Sequence, residues 1–251
     1  MVELLAVITI IGILVALLVP LLSKARGRAK SNTCQNRLHQ MGVALQMYVD
    51  GNHNKYPHYL GPAGDAGGDE TGKGGRAKNL IYWSSNLSPY YMPTWTNTAY
   101  HCPSYKGSIT GPYRGGVERL GSYAYNAAGV RLGNSTNTWG IGPISYWKNT
   151  PTTYVPAVSE ASVKVPSEML AIGDTLMKAG FTAGSDLWQC GGLFSSEVAR
   201  LPYASRQIKN YNALFCDGHV SAVRPDVLFD PSKSAAMWNY DHQPHTELWT
   251  P

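Results

Sequence analysis

Charge is scarce in this chain: Asp, Glu, Lys and Arg together make up 15% of its 251 residues. With 26 Gly, 16 Pro, 16 Tyr and 7 Trp, that composition argues against a helical bundle and for a loop-rich, turn-rich domain. Metal-type cysteine pairing is missing, because Cys34, Cys102, Cys190 and Cys216 contain no C-x-x-C, and a zinc site is disfavoured on that ground. Protease, hydrolase and kinase signatures are also absent. The nearest approach, Gly67 to Gly74, has Gly74 where a phosphate-binding loop needs its Mg²⁺-binding Ser or Thr, and no apolar strand leads into it. It reads as part of a flexible Gly-rich loop, 61–76, whose Asp65, Asp69 and Glu70 lack EF-hand spacing. Cys216 and His219 lie close in sequence, but adjacency assigns no nucleophile, base and orienting acid. The expectation is that the chain is not an enzyme.

What is present is an apolar N-terminus. From Val2 to Leu22 the strongly polar side chains are Glu3 and Thr9, and as a helix this segment spans roughly 30 Å, enough to cross a membrane core. A secretory signal is disfavoured, since nothing positive precedes the run and no small-x-small cleavage site follows it. The chain continues through Ser23 to Lys30 as what reads as the same helix, so the segment is expected to be retained. A carboxylate within it costs a few kcal/mol or more unless partnered, which marks Glu3 as functional. Gly12 and Pro20 both weaken a helix, and Pro20 also removes a backbone donor from its interior.

Lys24, Arg26, Arg28 and Lys30 follow directly, and with Arg37 they concentrate the net charge of +5. By the positive-inside rule this cluster would hold the rest of the chain in the cytoplasm, unless a basic leader removed from before Met1 set the opposite orientation. A basic band beside an apolar helix contacts lipid headgroups or neighbouring subunits more often than nucleic acid. No DNA- or RNA-binding motif accompanies it, and no nucleic-acid partner is expected.

Glu3-Leu4-Leu5, then Ile8 to Ile11, Gly12, Ile13-Leu14 and Pro20, resemble the N-terminal signature of type IV pilins and type II secretion pseudopilins. That resemblance implies a prepilin cleaved and N-methylated by a membrane peptidase, held in the inner membrane, then packed through its N-terminal helix into a filament core. It also implies that Glu3 pairs with the terminal amine of a neighbouring subunit, here that of Met1, and that the stretch around Gly12 and Pro20 loses helicity in the filament; a simple proline kink is the alternative. The family's mature pattern has two further residues, an aromatic and commonly a Thr, before the position matching Met1. Either they and a leader precede Met1 in the precursor, or the start is unusual. Independently of the family, an ammonium and a carboxylate desolvated in an apolar core stabilise only as a pair, and such a pair sets register.

Beyond the span, Cys34, Leu38, Met41, Leu45 and Tyr48 recur at steps of four, three, four and three, the seam of an amphipathic helix. Asp50-Gly51-Asn52 ends it by turn chemistry. The division expected is 1–51 for the helix, with 1–22 its membrane or filament-core segment and 23–51 its amphipathic half, then 52–251 for a globular domain. Cys34 to Leu38, Ala44 to Tyr48, Tyr56-Pro57, Cys102-Pro103-Ser104, Gly121 to Asn126, Val165 to Glu168, Gly173-Asp174-Thr175 and Tyr211 to Val220 are similar to a pilin-like subfamily abundant in planctomycete and verrucomicrobial bacteria. Its C-terminal hallmark is a His, nine residues, then Asp-Gly; Gln207 stands in place of that His.

Asp217-Gly218 between two apolar runs is a hairpin signal within a C-terminal hairpin and tail, 211–251. Met169 to Asp174 and Ser122 to Asn126 also read as strands. The fold expected is α+β: a long helix packed on a loop-rich antiparallel sheet. Asp217 and Asp174 are alternatively oxygen ligands for Ca²⁺, which some pseudopilins use to order a loop; turn geometry explains Asp217 without an ion. For an extracytoplasmic domain four cysteines favour disulfides, with three connectivities open. The preference is Cys34 to Cys102 and Cys190 to Cys216, against four buried free thiols. Trp238, Tyr240, His242, His245 and Trp249 form a polar tail whose irregular His spacing favours packing over chelation, and which would be able to wrap a neighbouring subunit.

The function expected is a structural subunit, polymerising into an extracellular type IV pilus-like filament after residence in the inner membrane. Its partners would be copies of itself, the prepilin peptidase and the assembly machinery. The alternative is a type II secretion pseudopilin or a membrane-anchored extracytoplasmic binding module.

Overall fold

A computed structural model describes residues 2–62, 80–91, 97, 100–105, 110–113, 116–119, 121–130, 139–143, 156–175, 187–190, 210–228 and 230–246. Met1, the Gly-rich loop from 63 onward, Gln207 and Trp249 lie outside the described residues. Val2–Gly51 forms a single helix, α1, of 50 residues, about 75 Å long at 1.5 Å per residue. It continues through Pro20. Past Gly51 the chain turns sharply. Asn52 Nδ2 donates to the Tyr48 carbonyl at 2.7 Å, and His53 and Asn54 both take left-handed φ, at 54° and 56°.

Burial splits α1 in two. Described side chains up to Lys30 are exposed, and Cys34 is the first buried one. From there Leu38, Met41, Leu45 and Tyr48 are all buried, with Ala44 and Val49 beside them. The seam expected from periodicity is the face on the domain. Burying its five side chains stabilises the docked helix by on the order of 10 kcal/mol before ordering entropy is subtracted.

The partner of that seam is a sheet. Its strands are β5 (Tyr123–Val130), β6 (Leu170–Asp174), β7 (Leu187–Cys190), β8 (Tyr211–Phe215) and β9 (Val220–Val223), in the order β7-β5-β6-β8-β9. The four strands β5, β6, β8 and β9 pair antiparallel, while β7 runs parallel to β5 at the edge. β8 and β9 form the hairpin predicted from Asp217-Gly218, with Gly218 at φ 89°. Two small antiparallel pairs lie outside this sheet: β1 (Leu60–Pro62) with β2 (Leu80–Tyr82), and β3 (Thr110–Tyr113) with β4 (Gly116–Arg119). A short helix, α2 (Trp83–Leu87), follows β2.

Alternation along the strands gives the sheet two apolar faces. Tyr123, Tyr125, Ile172 and Leu214 join the α1 seam in one core. Ala124, Leu170, Ala213 and Phe215 point the other way and pack with Leu228, Ala235 and Trp238. Leu228 ends the short helix α3 (Pro225–Leu228), and Ala235 and Trp238 belong to α4 (Pro231–Trp238). Asp230 caps α4 by accepting from Ser232 N at 3.1 Å, and Pro231 opens it with φ already set. The domain thus has helix, sheet and helix layers, and Trp238, read from sequence as tail, is wholly buried.

Candidate functional site

The apolar half of α1 is the surface that the fold leaves unexplained. Leu4, Leu17 and Leu21 are 70%, 69% and 64% exposed, and the Ile, Leu and Val side chains around them are exposed as well. By length and composition this helix suffices to cross a membrane. Glu3 is exposed in its first turn and has no hydrogen-bond or ion-pair partner among the described residues. Thr9 meets its own polar need locally, donating from Oγ1 to the Ala6 carbonyl at 2.7 Å. A Cβ built on Gly12 meets nothing within 4 Å, so no contact within the chain calls for glycine there. Glu3 and Gly12 lie about 13 Å apart along the axis on opposite faces, and Pro20 follows about 12 Å further on. The helix therefore spreads these positions along its length.

Where the helix enters the domain, Cys34 is bonded to Cys102, with Cα atoms 4.8 Å apart. That expected bridge is present. Hydrogen bonds hold both ends: Tyr123 Oη donates to the Cys34 carbonyl at 3.4 Å, and Cys102 N donates to Ser122 Oγ at 2.7 Å.

The second expected bridge is not formed, since Cys216 is a free, buried thiol. Its strand β8 is separated from β7, which ends at Cys190, by β5 and β6. Three strand spacings amount to about 14 Å, twice what a disulfide tolerates between Cα atoms. Burial pushes the thiol up to about 12, offset in part by the Tyr56 hydroxyl beside it. Burial also raises both Tyr56 and Tyr125.

Asp174 and Asp217 do not converge. Asp174 is fully buried and accepts from Asn212 N and Asn212 Nδ2 at 2.9 and 3.0 Å, while Gln35 Nε2 donates to Asn212 Oδ1 at 3.0 Å. This carboxylate links β6 and β8 to α1. Asp217 sits in the exposed hairpin turn, accepting from His219 N at 3.1 Å and lying 2.6 Å from His219 Nδ1. Four residues of β8 and its turn, Ala213 to Cys216, lie between Asn212 and Asp217, so the two carboxylates share no ion site. Among the described residues no group of three His, Cys, Asp or Glu side chains is placed to hold a metal.

The segment after α4 folds back on its own domain. Tyr240 N donates to the Trp139 carbonyl at 2.8 Å, His245 stacks on Trp139 with ring centroids 3.8 Å apart, and its Nε2 lies 2.9 Å from Asp241 Oδ2. His242 Nε2 lies 3.3 Å from Glu168 Oε2. Up to residue 246 the tail therefore packs on its own domain.

The chain matches no protein-family model, no curated protein and no solved structure. Its long apolar N-terminal helix and antiparallel sheet are compatible with a pilin-like α+β fold.

Two positions that the sequence did not single out hold the domain together. Asn126 Nδ2 donates to the carbonyls of Leu170 at 2.8 Å and Trp238 at 3.0 Å, and its Oδ1 accepts from Gly129 N at 3.1 Å. Gly42 faces β8, where a Cβ would stand 2.7 Å from Leu214 Cδ1. A glycine inside an otherwise good helix was the available signal for the second; Asn126 closed the Gly121 to Asn126 segment named above, with nothing there to mark its own role.

Proposed function

We propose that this chain is a pilin-like structural subunit that resides in a membrane through the apolar half of α1 and polymerises through that same half into a helical filament. The observation that carries this reading is the uncovered apolar helix, whose carboxylate has no partner among the described residues. Neither belongs in water, and both are accommodated when copies of the helix pack side by side and each Glu3 meets a positive group on a neighbour. Gly12 supports it, because an open glycine on an exposed helix permits close approach of a second helix. The globular domain, held by the Cys34–Cys102 bridge and the sheet, would form the outer surface.

Electron microscopy of material sheared from the cell surface, with mass-spectrometric identification of its subunits, tests this. The expected result is long filaments built from this polypeptide. Finding the chain confined to the membrane or to short assemblies would reject the filament reading and leave a pseudopilin or an anchored binding module.

A further inference from the structure

The apolar half of α1 ends at Leu22 and the domain begins at Cys34, leaving about 18 Å of bare helix between them. On that stalk Lys24, Arg26, Arg28 and Lys30 are all exposed and form no ion pair among the described residues. At 100° per residue Lys24 and Arg28 fall within about 40° of each other, and Arg26 and Lys30 make a second pair roughly 200° away. The charges therefore encircle the helix. They occupy about 9 Å of rise, starting about 3 Å beyond Leu22, which places them at the depth of a headgroup layer roughly 5 to 8 Å thick.

In the membrane-resident state a single neighbouring protein covers one side of the helix, whereas the surrounding lipid layer meets every side. We propose that this collar binds the phosphates of anionic phospholipids in the leaflet facing the globular domain, gathering them around the anchor in preference to zwitterionic lipids. The proposal rests on the membrane-resident state described above. In the export orientation that state requires, the collar lies on the side disfavoured by the positive-inside rule, and lipid phosphates there offset the cost.

The test uses the full chain reconstituted in phosphatidylcholine vesicles containing a minor fraction of phosphatidylglycerol. Electron paramagnetic resonance compares how strongly spin-labelled phosphatidylglycerol and spin-labelled phosphatidylcholine are immobilised at the protein surface. A basic side chain near an anionic surface is worth roughly fivefold in association, so a severalfold preference for the anionic probe is expected. It should fall to parity in the variant Lys24→Gln/Arg26→Gln/Arg28→Gln/Lys30→Gln and at high salt. Equal immobilisation of the two probes by the native chain overturns the proposal, as does a preference that survives the fourfold substitution. If instead the native chain shows no lipid preference while the variant no longer assembles with itself, the collar's occupant is a second copy and the lipid proposal fails. Alkaline extraction of the chain from vesicles would sink the membrane anchor as well, whereas an inserted chain without lipid preference sinks the collar's role alone.

Discussion

Cys34, the first buried residue of the long helix, is bonded through sulfur to Cys102, 68 positions further along the chain. Closing a loop of that size restricts the unfolded chain by about 4 kcal/mol on the chain-entropy account. The variant Cys34→Ser/Cys102→Ser should therefore lose roughly 2 to 4 kcal/mol in urea denaturation. A non-reduced digest should yield the two peptides linked; recovering them separately would remove the bridge.

A second cysteine should behave in the opposite way. Cys216 is buried, and burial pushes it up from 9.0 to about 12. A thiol reagent at mildly alkaline pH should leave it unmodified in the folded protein and label it once the chain is denatured. Because its folded value is raised, its stabilising contribution is complete below pH 9 and is lost as pH rises towards about 12. Urea midpoints should fall over that window less steeply for Cys216→Ala than for the native chain. Rapid labelling of folded protein would contradict the burial.

Asn126 joins β5 to β6 and to the end of α4 through two hydrogen bonds and accepts a third from Gly129 N on its own strand. In Asn126→Ala two carbonyls and one amide are left buried without their partner. At about 1 to 3 kcal/mol for each such group, the loss should reach at least about 3 kcal/mol. Calorimetry that finds less than half of this would mean that water or a backbone shift repairs the site.

Positions on the uncovered helix should separate folding from assembly. Glu3→Ala should remain in the membrane with an intact domain yet fail to build filaments; filaments of native abundance would refute the pairing mechanism. Gly12→Val should leave the domain's melting temperature unchanged, since a Cβ there meets nothing within 4 Å, while reducing filament yield. A shifted melting temperature would show that Gly12 serves the fold.

Local pattern carried much of the architecture. The spacing of Cys34 to Tyr48 named the face that α1 buries, Asp217-Gly218 located a hairpin, and Met169 to Asp174 marked a strand, because each depends on neighbours within a few residues. Long-range partners were a different matter. β7 pairs with β5 across more than fifty residues, and α4 covers a second face of the sheet that no single segment announces. Asp174 looked like an ion ligand until Asn212 was seen to satisfy it. Cys216 looked like half of a disulfide, although the strand order keeps it from Cys190. At the candidate site, sequence identified Glu3, Gly12 and Pro20 by how poorly each suits a plain apolar helix. The tail's contacts within its own domain, on Trp139 and Glu168, were not legible because those partners are remote in sequence.

The position of the bridge also determines how the molecule carries load. A pull delivered along α1 enters the domain at Cys34. With noncovalent contacts alone, the helix would peel off the sheet one turn at a time, and the force needed would be that of a single turn. The covalent link at the point of entry blocks that route. Tension passes instead through sulfur into the Cys102 segment and on to Ser122, which it bonds at the start of β5, so the docked seam beyond Cys34 is shielded from the pull.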